Sequence, residues 1–185
     1  MNSLVCLLEE PSAKEMLKAV MSKLAPDASV DYIVFQGKSD LDKNIERKIN
    51  GFRRPDAKFL ILRDQDSSDC RQLKSELINR VPDRKRAVCL VRIACRELES
   101  FYLGDLAAVE RGLKLNSLSK YQNQKKYRNP DCLANAKEVL RGLTARQYQP
   151  VDGSRRIAPE LDLTDNNCSK SFNQLISGIR RLLQQ

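Results

Sequence analysis

An α/β fold is what this sequence predicts: a mostly parallel four-stranded sheet flanked by helices, with a mainly helical C-terminal extension. Three observations predict it. Short apolar runs alternate with amphipathic helical patterns up to residue 94, which is the β-α-β-α-β-α-β order of a parallel sheet. At least two of those runs end in acidic residues, and the last third of the chain changes to helical and turn-rich patterns.

Residues 4–8, Leu-Val-Cys-Leu-Leu, read as a buried strand that ends at Glu9 and Glu10. Met16, Leu17, Val20, Met21 and Leu24 then form a helical stripe, with Ser12 as the expected N-cap and Glu15 completing a capping-box pattern. Residues 32–35 predict a second strand, and residues 40–52 a helix carried by Leu41, Ile45, Ile49 and Phe52. The run Lys-Phe-Leu-Ile-Leu at 58–62 predicts a third strand, with Asp64, Gln65 and Asp66 just past its end. Ser68 or Asp69 can cap the next helix, whose face is Leu73, Leu77 and Val81, and residues 86–94 predict the fourth strand. Beyond residue 105, helices are expected at 106–113, 133–143 and 169–183, with residues 149–167 read as turns around Pro150, Gly153 and Pro159. The organisation expected is a core at 1–105 and a basic helical extension at 106–185 packed on it.

Composition bounds the chemistry. The 185 residues contain no His, which excludes imidazole general bases, Ser-His-Asp triads and His-based zinc sites. The six Cys form no Cys-x-x-Cys pair and predict reduced structural thiols. No stretch approaches the roughly 20 apolar residues of a membrane span. The first apolar run is not preceded by Lys or Arg, so a signal peptide is not expected and cytoplasmic residence is the default. The net charge is +9, and the basic residues are unevenly placed. Residues 114–128 concentrate Lys114, Lys120, Lys125, Lys126 and Arg128 without an acid, and interleave Tyr121 and Tyr127. That stretch reads either as a phosphate track with stacking rings or as a solvated loop with structural tyrosines. Lys38, Arg155 and Arg156 are further candidate phosphate contacts; Gly37, Lys38 and Ser39 lack the upstream Gly of a P-loop.

In open α/β sheets ligands gather beyond the carboxyl ends of the strands. Glu9, Asp64, Asp66, Glu97 and Glu99 all follow strand ends in this reading. Glu9, Asp64 and Asp66 are the expected ligands of Mg²⁺ or Mn²⁺, which favour a few carboxylates plus water and substrate phosphate. Glu9, Glu97 and Glu99 are the candidate catalytic acids. Glu97 and Glu99 would diverge by about 200° on a helix, so one of them is expected to face the cleft.

Leu7-Leu8-Glu9-Glu10-Pro11-Ser12 resembles the first motif of Toprim domains, and Leu60-Ile61-Leu62-Arg63-Asp64-Gln65-Asp66 resembles the second. The resemblance covers about residues 3–105 and implies a parallel sheet whose acids bind Mg²⁺ to cleave or join phosphodiesters. Glu10 departs from it, standing where Toprim domains usually have Gly; Ala13 stands where many Toprim nucleases have a further acid. Phe35-Gln36-Gly37-Lys38-Ser39-Asp40-Leu41 and residues 96–105, Arg-Glu-Leu-Glu-Ser-Phe-Tyr-Leu-Gly-Asp, resemble an uncharacterised bacterial Toprim-like family. That resemblance implies a separately encoded AAA-type ATPase as partner, in the manner of phage-defence modules. The function expected is therefore a metal-dependent nuclease acting on DNA or RNA. The alternative is a catalytically silent adaptor that binds nucleic acid or an ATPase. Oligomeric state is open: a homo-oligomer is possible, and the last helix could form an interface if its apolar face is exposed.

Overall fold

The computed structural model describes residues 3–184. Four strands, β1 (Ser3–Leu8), β2 (Ser29–Val34), β3 (Lys58–Asp64) and β4 (Cys89–Ala94), form one all-parallel sheet in the order β2-β1-β3-β4. β1 and β3 are central and apolar on both faces, as strands covered by helices on both sides must be. Leu4, Cys6, Leu8, Leu60 and Leu62 point to one buried cluster, and Val5, Leu7, Phe59 and Ile61 to another.

Helices α1 (Pro11–Leu24), α2 (Lys38–Gly51) and α3 (Cys70–Asn79) make the crossovers. α1 supplies Met16, Leu17 and Val20 to the first cluster, and α2 and α3 supply Leu41, Ile45, Ile49, Leu73 and Leu77 to the second. The chain thus leaves β1 in one direction toward β2 and returns past β1 to β3. The strand order reverses between β1 and β3, which is where a crevice opens at the carboxyl ends.

The rest of the chain completes the first face. It comprises α4 (Glu99–Leu103), α5 (Leu106–Leu113), α6 (Lys125–Arg128), α7 (Ala136–Leu143), α8 (Pro150–Ile157) and α9 (Lys170–Gln184). α9 lies on β4 and β3, and α8 lies on α1 and α5. Phe172, Leu175, Ile176, Ile179 and Leu182 are buried in the same cluster as β1 and α1. The condition for an interface on α9, an exposed apolar face, is therefore not met.

Several local expectations are corrected. The N-cap of α1 is Glu10, with Pro11 at the first helical position; the predicted capping box does not form, because Ser12 donates to the Glu10 carboxylate and Glu15 binds Lys18 and Arg155. Of the two expected caps of α3, Ser68 or Asp69, it is Asp69 that forms, accepting the Gln72 N–H at 2.8 Å. Residues 83–88 are a 3₁₀ turn, so β4 begins only at Cys89. Residues 150–157, expected as turns, are helix α8: Pro150 occupies its first turn, and Gly153 lets it close on the Tyr148 ring, into which an added Cβ would run.

Candidate acidic site at the carboxyl ends of the strands

Asp64 is the last residue of β3 rather than a loop residue beyond it, paired in register with Ala94 of β4. Its backbone N–H donates to Glu9 Oε2 at 3.2 Å, tying the end of β3 to the residue that follows β1. The loops after β3 and β4 remain paired beyond the strands. The N–H of Gln65 donates to the Ala94 carbonyl and that of Asp66 to the Arg96 carbonyl, each at 2.9 Å. Arg96 N–H answers by donating to Gln65 Oε1 at 3.1 Å. Asp66 and Arg96 hold positive φ of 52° and 65°, an αL conformation uncommon for non-glycine residues that these bonds maintain.

Glu9, Asp64 and Glu99 each sit close enough to neighbouring acids to be perturbed by them. Asp64 is held well above the usual carboxylate range, by burial first and then by Glu10, Glu9 and Glu99, against a bond from the Leu98 N–H. Burial also raises Glu9, with Asp66 and Glu10 adding to it; the Asp64 N–H and Arg63 act the other way. Glu99 is 1% exposed and is raised by burial and Glu10. Tyr148 Oη donates to Glu99 Oε1 at 2.9 Å, and Lys137 Nζ lies 3.9 Å from it. Burial alone would lower Lys137, but Glu99, Glu10, Glu97 and Asp64 together raise it.

Of the two acids after β4, Glu99 therefore joins the cluster. Glu97 turns to the start of α7, where its Oε2 accepts the Lys137 N–H at 2.7 Å. Asp66 stands at the rim with Oδ2 at 3.0 Å from Lys38 and 3.7 Å from Arg63. Arg63 is 5% exposed and bridges Asp42 at 3.1 Å, Glu9 at 3.8 Å and Asp66.

The basic candidates divide. Lys120, Lys125, Lys126 and Arg128 are exposed. Lys120 lies 5.1 Å above the Tyr121 ring and Lys126 5.7 Å above that of Tyr127, while Tyr127 itself is buried as an anchor. Arg155 pairs with Glu15 at 3.0 Å, holding α8 to α1. Arg156 donates to the Leu113 carbonyl and pairs with Asp152.

Lys137, Tyr148, Arg63 and Glu10 complete the surroundings of the acids. Only Glu10 carried a signal in the sequence, as an extra acid at a strand end. Lys137 and Tyr148 come from the C-terminal extension, so no spacing could place them. In kind, the group suits a hard divalent cation: its donors are all oxygen, and their mutual repulsion is what a cation would relieve. As they stand, no three acidic or Cys side chains among the described residues converge to hold an ion, so ligation requires side-chain rearrangement.

A family model described as a domain of unknown function (DUF4276) matches residues 8–180. No curated protein and no solved structure matches the chain.

Proposed function

Since the chain belongs to the DUF4276 family, whose description assigns no activity, we propose from the site itself that it is a Mg²⁺- or Mn²⁺-dependent nuclease. The observation that carries this reading is the meeting of Glu9 and Asp64 at the switch point between β1 and β3, with Glu99 buried beside them. Glu9, Asp64 and Asp66 would hold the cation, with Glu10 as a further donor. A bound divalent ion supplies Lewis-acid polarisation of a phosphoryl oxygen and activation of water.

The chain's own groups have defined tasks. Glu99, raised by burial above the usual carboxylate range, is the candidate for proton transfer, and Tyr148 fixes its carboxyl. Lys137 places a positive charge next to the acids, where a phosphate would otherwise be repelled. Lys38 stands at the rim, 54% exposed, and exchanges Asp66 for a phosphate when substrate arrives. Lys120, Lys125, Lys126 and Arg128 offer a backbone track, whereas Arg155 and Arg156 serve the packing of α8.

The test is Mn²⁺ calorimetry on the full chain, wild type against Asp64→Ala/Asp66→Ala, with DNA and RNA cleavage assays on the same samples. Metal binding and cleavage in the wild type, both lost in the variant, is the expected result. The resemblance to ATPase-linked proteins adds a second arm: weak cleavage by the chain alone should rise when an AAA-type ATPase encoded beside it is added. Salt-sensitive nucleic-acid binding that survives the double substitution, with no cleavage in either arm, overturns the nuclease and leaves an adaptor.

A further inference from the structure

Among the described residues β4 is an edge strand, paired only with β3. The Gln65 N–H reaches the Ala94 carbonyl, so alternate β4 residues, Leu90, Arg92 and Ala94, direct their backbone toward β3. Cys89, Val91 and Ile93 therefore direct theirs outward. The Cys89 N–H is taken by the Arg86 carbonyl, and the Cys95 N–H just beyond the strand by Ser171 Oγ at 3.3 Å. Among the described residues the N–H groups of Val91 and Ile93 have no such partner outside the sheet.

Along this edge run two depressions of about 310 and 170 Å³, sharing Lys74, Val91 and Arg92 as walls. α3 forms one bank through Lys74 and Ile78, and α9 the other through Lys170 and Gln174. The charge is one-sided. Lys74 and Lys170 make no ion pair among the described residues. Arg92 is half-buried and donates only to carbonyls, those of Gln174 and Val91 at 3.0 Å each. Its pKa is lowered by burial and by Arg181, so an anion beside it would be favoured. Among the described residues Asp131 is the one acid lining these depressions, and it is engaged at the start of α9, accepting from Ser169 Oγ at 2.6 Å and the Ser171 N–H at 2.8 Å.

We propose that the β4 edge takes an acidic, extended peptide segment of a partner protein by strand addition. The backbone of such a segment meets the Val91 and Ile93 amides and displaces Arg92 from the outward Val91 carbonyl, and its carboxylates meet Lys74, Lys170 and the released Arg92. A second copy of this chain is the poorer occupant, since edge-to-edge pairing would bring Lys74, Arg86, Arg92 and Lys170 of both copies together. Nucleic acid fits less well too, because it carries no backbone that matches alternating outward amides. The proposal does not depend on the acidic site.

The experiment uses the full chain and a fluorescent peptide of about eight residues alternating Val and Glu, a length that spans a strand. Expected are saturable anisotropy, amide shifts centred on Val91 and Ile93, and a loss of roughly tenfold or more in affinity for Lys74→Glu/Lys170→Glu. The same peptide N-methylated at alternate residues should fail to bind. Equal binding of the N-methylated peptide, tighter binding of a single-stranded oligonucleotide with the same lysine dependence, or self-association through this edge overturns the proposal. So does the absence of any binding.

Discussion

A carboxyl on the last residue of a central strand loses most of its water, and Asp64 also has Glu9, Glu10 and Glu99 as neighbours. The folded protein therefore holds a proton there to higher pH than the unfolded chain, where an Asp ionises near pH 4. Between those two values the folded state binds more protons, so this group's contribution to stability is present at low pH and falls as pH rises. The slope approaches about 1.4 kcal/mol per pH unit per group. Glu9 and Glu99, also raised, act in the same direction. Asp64→Asn removes one such group while keeping its shape. In metal-free buffer the variant should gain stability relative to wild type as pH rises above the ordinary Asp range, as read by urea denaturation. A wild-type-to-variant difference that does not move with pH would mean that Asp64 is well solvated.

The elements read most clearly from the sequence were those whose pattern is local. β1, β3 and α5 carry apolar runs or stripes that nothing else interrupts, and Asp69 caps α3 as its position suggested. The acids at the strand ends were legible for the same reason. α8 was not, because Pro150 and Gly153 imitate a turn when the partners are unknown: Pro150 sits in the first turn, and Gly153 is required by the Tyr148 ring. Tyr148 and Lys137 meet Glu99 from far along the chain, and only tertiary packing brings them there. Close helix contact of this kind has a direct test at Gly112 on α5. A Cβ there would lie 2.6 Å from the Arg156 carbonyl oxygen and 2.7 Å from Ile157 Cα, both backbone atoms of α8 that cannot rotate aside. Gly112→Ala should cost about 1–3 kcal/mol by overpacking, although Ala is the better helix former. A variant as stable as wild type in denaturant would show that α5 and α8 separate without cost.

At the scale of the molecule, the sequence divides near residue 105, but the core does not divide there. One buried cluster runs from Leu4, Leu8 and Met16 through Tyr102 and Leu106 to Tyr148, Phe172 and Ile179. The accessible surface of 9323 Å² matches the roughly 9,000 Å² expected for a single compact body of 21.1 kDa. Glu99, Lys137 and Tyr148 extend the same argument to the site, since its acids and their partners come from both sides of residue 105. Unfolding should therefore be one cooperative transition, with far-ultraviolet and tyrosine signals coinciding. A chain cut before α9 should lose the burial of Phe172, Leu175, Ile176, Ile179 and Leu182 over one sheet face and fail to fold cooperatively. Residues 1–105 expressed alone should fare no better. Two separated transitions, or a stable and cooperative 1–105 fragment, would instead establish an autonomous core with a dispensable extension, and the partners of Glu99 would then be additions to a site that forms without them.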